Sequence, residues 1–217
     1  MKKLFFLAVI VIASHLTGHS QNIRFGFMAG ITFSNYISKE AGETNNGKSK
    51  AGVTAGVLVD IPAGKHFSFQ PAINFVQKGT KDDQTVGGVT EKIKINVNCI
   101  EVPLNFLYNA PGNTGNFFIG AGPSFAFALS GKIKYDDGTN SGSQDLKFGN
   151  GENDDMKGLD LGVNFLTGYR SQNGLLFSVN YNAGLSNLVP GGSANGTAKS
   201  HYFGIRLGYL LNGRGKK

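Results

Sequence analysis

The sequence has little of what most soluble folds depend on. It contains one cysteine and no tryptophan, and 16% of its 217 residues are charged, whereas 32 residues are glycine. With Cys99 as the single cysteine, no intramolecular disulfide can form. Beyond residue 20, no segment approaches the roughly 20 apolar residues that a membrane-spanning helix needs. The sequence therefore excludes a disulfide-bonded scaffold and a helical membrane bundle, and its glycine content is unusual for a helical enzyme.

Residues that could perform catalysis are also scarce. Of the four histidines, two lie before residue 20, His66 lies in a predicted turn, and His201 opens the last predicted strand. They cannot be placed together as a metal site or a catalytic triad. Ser200 beside His201 resembles half of a barrel lipase or deacylase site, but an ordinary strand start is the better interpretation. We therefore predict no catalytic residue and no cofactor.

One acidic segment, residues 150–155, is a candidate for binding Ca²⁺. Its carboxylates belong to Glu152, Asp154 and Asp155, and they lack the regular ligand spacing of a Ca²⁺ loop. A solvated loop is the simpler interpretation, so we predict no metal site. The chain also has no phosphate-binding glycine loop before a helix and no basic segment interleaved with aromatics, so we expect no nucleic-acid partner.

What the sequence does contain is alternation with a period of two, repeated through eight segments. In the last segment, Phe203, Ile205 and Leu207 alternate with Gly204 and Arg206, which describes a strand with one apolar face and one mixed face. The eight predicted strands lie near residues 23–35, 51–61, 67–79, 93–109, 116–130, 158–170, 175–187 and 200–211. Apolar residues on one side and Gly, Asn and Ser on the other are typical of a membrane-spanning β-barrel.

The connections between these strands alternate in length. Short turns rich in Gly, Pro and Asn lie at residues 62–66, 110–115 and 171–174, whereas longer polar connections lie at residues 36–50, 80–92, 131–157 and 188–199. Outer-membrane barrels have short turns on the periplasmic side and long loops outside the cell. The sequence thus predicts an all-β fold, an eight-stranded antiparallel up-and-down transmembrane β-barrel with both termini on the periplasmic side.

The first twenty residues have the features of an export signal. Lys2 and Lys3 precede an apolar run over residues 4–13, and the small residues Gly18 and Ser20 precede a cleavage point ahead of Gln21. We predict a signal peptide at residues 1–20 and a barrel domain at residues 21–217 that ends in a short basic tail. The expected location is the cell outer membrane.

The mixed faces of the strands should form the barrel interior. Many glycines lie on these faces, which leaves room for long side chains in the narrow space that eight strands enclose. Six charged residues share the inward positions and should form a paired network in a closed lumen: Arg24, Asp60, Glu101, Asp160, Arg170 and Arg206. Arginine should accordingly cost little at inward positions such as Ser178 or Asn180 and much at lipid-facing positions such as Leu207.

One predicted strand, residues 93–109, changes phase. Its apolar residues fall on odd positions up to Cys99 and on even positions from Ile100 onward. A β-bulge near residues 99–101 would produce this change, and Pro103 suits a bulged strand because it lacks a backbone donor. Alternatively, the part before Cys99 projects beyond the bilayer. We interpret Cys99 itself as an inert apolar filler rather than a reactive thiol.

Several short motifs carry a family resemblance. They are Glu101-Val102-Pro103-Leu104, Phe118-Ile119-Gly120-Ala121-Gly122-Pro123, Phe69-Gln70-Pro71 with Gln77-Lys78-Gly79, and Tyr181-Asn182-Ala183-Gly184-Leu185-Ser186-Asn187. Together these motifs resemble the PorT-like outer membrane β-barrel family of Bacteroidetes, over residues 21–211. The resemblance implies a small outer-membrane barrel, with one branch of the family tied to a protein secretion machine, and it implies no catalytic residues.

These observations together favour a non-enzymatic barrel whose extracellular loops serve a structural, adhesive or assembly role. The expected partners are outer-membrane lipid and lipopolysaccharide, the barrel assembly machinery, and a protein partner at the loops. A lipid-modifying barrel enzyme is the main alternative. A soluble lipocalin-like carrier is a weaker one, because the face that would line its cavity is Gly, Ser, Asn and Arg.

Overall fold

A computed structural model describes residues 23–40, 42–86, 89–151, 153–191 and 196–211. Within these ranges, no helix is long and apolar enough to cross a membrane. The strands are β1 Arg24–Glu40, β2 Glu43–Asn46, β3 Lys48–Pro62, β4 Phe67–Val86, β5 Val89–Pro111, β6 Gly115–Asp136, β7 Ser141–Asp145, β8 Leu159–Ser171, β9 Leu175–Gly184 and β10 Thr197–Leu211. The predicted signal peptide (1–20) and basic tail (212–217) lie outside the described residues.

The strands pair antiparallel, and the first wall strand pairs with the last. β1 lies between β3 and β10, with Phe25 opposite both Val59 and Leu211. From β10 the ring continues through β9, β8, β6, β5, β4 and β3 back to β1, while β2 extends from β1 and β7 from β6. The predicted all-β antiparallel barrel with eight wall strands is therefore confirmed. We call the end that carries the connections 63–66, 112–114 and 172–174 the short-turn end, and the opposite end the long-loop end.

The two faces of the wall differ in polarity as the sequence predicts. On β9 and β10, Phe177 is 45% exposed and Leu207 60% exposed, whereas the neighbouring Ser178 is 3% exposed and points inward. Large apolar side chains are exposed in the same way around the whole ring. A soluble protein rarely exposes so much apolar surface. The outward face therefore suits contact with lipid, which is the reverse of the polar exterior that a lipocalin-like carrier needs.

Inward glycines allow the strands to approach one another closely. At Gly122 on β6, a Cβ atom would overlap the backbone carbonyl of Leu104 on β5, and at Gly30 on β1 it would overlap the carbonyl of Ile205 on β10. Both obstacles are backbone atoms, which cannot rotate away as a side chain can. Glycine at these positions is therefore required by the spacing of the wall strands.

Six wall strands (β1, β3, β4, β5, β6 and β10) run further at the long-loop end than the sequence predicts. Within the predicted loop 80–92, residues 80–86 and 89–92 continue β4 and β5 as a β-ribbon, and part of the predicted loop 131–157 is a second ribbon of β6 and β7. This prediction was wrong because the alternation continues there with reversed polarity. Ile95 and Ile133 pack inward, while lysines occupy the outward positions that apolar residues hold lower on the wall.

The predicted bulge exists, but on the neighbouring strand. Asn98 of β5 lies opposite Ser130 of β6, whereas the next residue, Cys99, lies opposite Ala128. Leu129 is therefore the extra residue, and the bulge belongs to β6.

On β5 itself the facing does not change at Cys99. Val97, Cys99, Glu101 and Pro103 are all buried on the inward side. The phase change in the sequence therefore records a change in what surrounds the strand. From Glu101 toward the short-turn end, the inward side of β5 is mainly polar and its outward side meets lipid. From Cys99 toward the long-loop end, the inward side is apolar.

Candidate functional site

The barrel interior is filled by side chains in successive layers. Along β8, the inward residues are Arg170 near the short-turn end, then Leu166, Asn164 and finally Asp160 near the long-loop end. The other wall strands add to the same layers. The apolar layer consists of Met28, Leu58, Ala72, Leu107, Phe118, Leu166, Leu176 and Leu210. It separates two groups of charged side chains.

The first charged group lies at the short-turn end. Asp60 is fully buried, and one of its carboxylate oxygens accepts hydrogen bonds from Arg24 and, at 3.1 Å, from Arg170. Two guanidinium groups thus surround one carboxylate. Removing a buried partner from such a group leaves an uncompensated charge, which costs several kcal/mol.

The second charged group lies above the apolar layer, toward the long-loop end. Lys78 Nζ is 2.9 Å from Asp160 Oδ2 and 3.4 Å from Glu101 Oε2, and its side chain is 3% exposed. Ser200 also donates a hydrogen bond to Asp160. Because one ammonium group serves two buried carboxylates, Lys78 is the central residue of this group.

Tyr202 links Arg206, the last of the six predicted lumen charges, to this second group. Its hydroxyl donates to Glu101 Oε1 at 2.5 Å and accepts a hydrogen bond from Arg206 Nη2 at 3.0 Å. Among the described residues, Arg206 has no carboxylate within ion-pair distance, and its other terminal nitrogen lies 3.6 Å from Met28 Sδ. The six predicted charges therefore lie in two separate groups of three, with Lys78 and Tyr202 as additional members.

A chain of amide side chains crosses the lumen between these groups. Asn180 donates to Asn164 at 2.8 Å, and Asn164 donates to Asn105 at 2.9 Å. A second bond joins Asn182 to Ser124 at 2.7 Å. These side chains belong to four different strands, so the polar layer cross-links the wall from within.

An apolar cluster covers the interior at the long-loop end. Its buried members are Tyr36, Val97, Cys99, Ala126, Leu146 and Leu188. Leu146 comes from the segment after β7, and Phe148 and Met156 from the same segment pack against it. This segment, predicted as part of a long polar loop, thus packs over the long-loop end of the lumen.

The side chains of Ser200 and His201 lie on opposite faces of β10. Ser200 points into the lumen, where it contacts Asp160. His201 is on the opposite face of β10, stacks on Tyr181 at a centroid distance of 6.2 Å, and its Nδ1 lies 3.1 Å from the Tyr181 hydroxyl. Adjacent residues of a strand point to opposite faces, so the hydroxyl and the imidazole are separated by the wall itself.

The acidic segment 150–155 uses its carboxylates locally. Asp154 accepts a hydrogen bond from the Gly151 amide at 2.8 Å, and Asp155 accepts one from the Lys147 amide at 2.8 Å. Glu152 lies outside the described residues. Across the part of the chain that the structure describes, no three His, Cys, Asp or Glu side chains come together as a metal site.

Two members of the lumen groups were missed by sequence reasoning. Lys78 and Tyr202 both occupy inward positions of the same parity as Asn74 and Arg206 on their strands. Parity alone would have placed them in the lumen. Parity does not show that Lys78 pairs with Asp160 and Glu101, or that the Tyr202 hydroxyl donates to Glu101.

The antiparallel barrel with its apolar outer wall agrees with what sequence comparison finds. The family model of the outer membrane protein beta-barrel domain matches residues 19–189. The chain belongs to this family. Among curated proteins, none matches the sequence.

Solved structures of outer-membrane barrels resemble the chain at low sequence identity. OprG from Pseudomonas aeruginosa is 14% identical with a TM-score of 0.51, over 90% of this chain and 98% of OprG. Ail of Yersinia pestis is 12% identical with a TM-score of 0.43, over 88% of this chain and 99% of Ail. AlkL, solved in lipid bilayers, is 12% identical with a TM-score of 0.42, over 93% of this chain and 95% of AlkL. The likeness to OprG is a likeness of fold.

Membership of this family indicates the outer membrane as the location. In such barrels the short turns face the periplasm and the longer connections face the cell exterior. By this rule we expect the two β-ribbons and the apolar cluster over the lumen to lie on the extracellular side, and the group around Asp60 on the periplasmic side.

Proposed function

We propose that this protein is a non-enzymatic scaffold of the outer membrane, closed to solutes, which presents its extracellular ribbons to a binding partner. The observation that carries the proposal is the filled interior. Charged, apolar and amide layers occupy the lumen, and Leu146 and its neighbours cover the extracellular end. With transport through the lumen blocked, the extended ribbons are the parts of the molecule that project into a medium where a partner can bind.

The role of the ribbons is structural, adhesive or one of assembly. The PorT-like resemblance supports an assembly role in a protein secretion machine, with a protein partner at the extracellular end. Insertion by the barrel assembly machinery and a surrounding layer of lipopolysaccharide follow from the location. Enzymatic action on lipid is the alternative, and the separation of Ser200 from His201 by the wall speaks against it.

The closed lumen predicts an electrical result. Reconstituted into planar bilayers, the protein should show no stable open step, because the buried apolar layer that includes Leu58, Leu107 and Phe118 occupies the narrow interior of an eight-stranded barrel. Single-channel recording measures this directly. A reproducible porin-like conductance would show that the interior opens, and it would make transport the function.

A shortened ribbon tests the binding role. Residues 135–142, at the tip of the β6–β7 ribbon, can be replaced by Asn-Gly, which suits a two-residue hairpin between Lys134 and Ser143. Leu146 and Phe148 are retained, so we expect the barrel to fold and the lumen to stay covered. We expect the variant to lose the proteins that cross-link to the native barrel in intact outer membranes, as measured by affinity capture and mass spectrometry.

His201→Ala serves as the matched variant for the enzymatic alternative. The imidazole faces outward, and its removal leaves the contact between Ser200 and Asp160 in place. We expect unchanged outer-membrane lipids by mass spectrometry and unchanged cross-linking. Two results together would refute the scaffold function and support an enzymatic one. His201→Ala would change the outer-membrane lipids, and the shortened variant would keep its cross-linked proteins.

A further inference from the structure

The outward face of the extracellular ribbons carries a row of lysines on adjacent strands. Lys48 of β3 lies opposite Lys81 of β4, Lys81 lies opposite Lys94 of β5, and Lys94 lies opposite Lys134 of β6. Cross-strand neighbours point to the same face, so the four side chains form one line. Three strand spacings of about 4.8 Å give this lysine row a length of roughly 14 Å.

The lysine row has too few carboxylates to neutralise it. Lys48 is paired with Asp83 at 2.6 Å, and this hydrogen bond raises the pKa of Lys48 and lowers the pKa of Asp83. Among the described residues, Lys81, Lys94 and Lys134 have no ion-pair partner, and all three are exposed. Like charges placed directly opposite one another destabilise a sheet. An anion from outside the chain would offset this repulsion.

A groove beside the row adds further basic groups. It is lined by Lys50, Asn96, Asn98, Lys132 and Lys134, on the same outward side of the ribbons. Lys132 is engaged with Asp145 at 3.1 Å. The groove therefore offers amide donors and ammonium groups together, which suits phosphate or carboxylate groups attached to sugars.

The height of the row indicates which anion it meets. On β6, the last outward apolar side chain is Leu129, which is 59% exposed. Lys134 lies five residues further on, which at about 3.3 Å per residue and a strand tilt of about 40° is roughly 13 Å above it. The polar layer of one leaflet of phospholipid is only about 5–8 Å deep. The row therefore lies above phospholipid phosphates, at the level of a larger headgroup.

We propose that the lysine row and its groove bind the anionic headgroup sugars of lipopolysaccharide in the outer leaflet. This partner has its phosphate and carboxylate groups on sugars above the acyl chains, which matches the height of the row. It also approaches from the side, as the outward direction of the lysines requires. A soluble polyanion would have to reach the same lysines from within the lipopolysaccharide layer. The inference concerns the lipid around the barrel and stands apart from the partner proposed for the ribbon tip.

The test compares two variants with the same change in net charge. The first replaces the unpaired lysines of the row (Lys81→Gln, Lys94→Gln, Lys134→Gln). The second replaces exposed lysines elsewhere on the extracellular side (Lys39→Gln, Lys147→Gln, Lys199→Gln). Each full-length protein is folded into vesicles of phosphatidylcholine, with or without deep-rough lipopolysaccharide, and the binding of lipopolysaccharide is measured by titration and native mass spectrometry.

We expect the row variant to bind lipopolysaccharide at least roughly tenfold more weakly, since each basic group near an anionic membrane surface strengthens association about fivefold before screening. The control variant should change by less than about twofold. The melting temperatures should also reverse in order. In phosphatidylcholine alone the row variant should melt above the native protein, because its cross-strand repulsion is gone, and with lipopolysaccharide it should melt below.

Three results would overturn the proposal. Equal losses in both triple variants would show a general charge effect rather than a site. Equal binding to vesicles containing phosphatidylglycerol would assign the row to any anionic lipid. If dextran sulfate bound as tightly as lipopolysaccharide, and the row variant lost this binding, the lysine row would be assigned to a soluble polyanion.

Discussion

Lys78→Met should lower the free energy of unfolding by about 3–5 kcal/mol. The substitution keeps a long apolar side chain but removes the one ammonium group between Glu101 and Asp160, which lie 3.4 Å and 2.9 Å from it. Two buried carboxylates would then remain in the lumen, with Tyr202 and Ser200 as their hydrogen-bond donors. Equilibrium unfolding in denaturant, from phosphatidylcholine vesicles, measures the change.

Lys81→Met is the matched control, because Lys81 is on the same strand but is exposed and points outward. Its effect should be within about 0.5 kcal/mol. Adding Glu101→Gln and Asp160→Asn to Lys78→Met should restore most of the lost stability, since neutral side chains remove the uncompensated charge. A loss from Lys78→Met no larger than that from Lys81→Met would mean that the buried ion group contributes nothing to the fold.

Leu207→Arg should cost about 2–4 kcal/mol of folding free energy in the same vesicles. Leu207 is 60% exposed on the outward face of β10, with Ala29 and Phe177 as its cross-strand neighbours. A guanidinium at this position must either enter hydrocarbon or distort the lipid around it. Thermal or denaturant titration of the folded fraction gives the cost.

The control for Leu207→Arg must be an outward residue that water reaches. Ser143→Arg on β7 meets this condition, since Ser143 is exposed on the ribbon, and it should cost little. The expectation that Asn180 would tolerate arginine does not suit the structure: Asn180 is 2% exposed and donates to Asn164, so a larger side chain would overpack the lumen. Equal costs at Leu207 and Ser143 would contradict the assignment of the lipid-facing side.

The facing of the wall strands followed from the sequence because a strand has a fixed period of two. Phe177 and Leu207 needed no knowledge of their neighbours to be placed outward, and Asp60 needed none to be placed inward. The period of two does not show which side chain an inward residue contacts across the lumen. The pairing of Asp60 with Arg170, and of Lys78 with Asp160, depends on how far the strands are staggered around the ring, which is a property of the closed barrel.

The cover over the lumen was not predictable for a different reason. Leu146, Phe148 and Met156 are isolated apolar residues in a polar segment, and their spacing follows neither the period of a strand nor that of a helix. They contact the cluster around Cys99 only because β5 and β6 extend far enough above the membrane to meet them. A sequence pattern records regular local structure, whereas this contact joins an irregular segment to a distant one.

The reversal of side-chain polarity along β5 and β6 also fixes how deeply the protein sits in its bilayer. If the barrel moved toward the periplasm by the length of two strand residues, Lys132 would approach the hydrocarbon. If it moved toward the cell exterior, Leu129 would be left in water. Both displacements are opposed on the β3–β6 side, where the lysines lie. When the thickness of the bilayer changes, we therefore expect the lipid beside these strands to adjust its thickness while the barrel keeps its level.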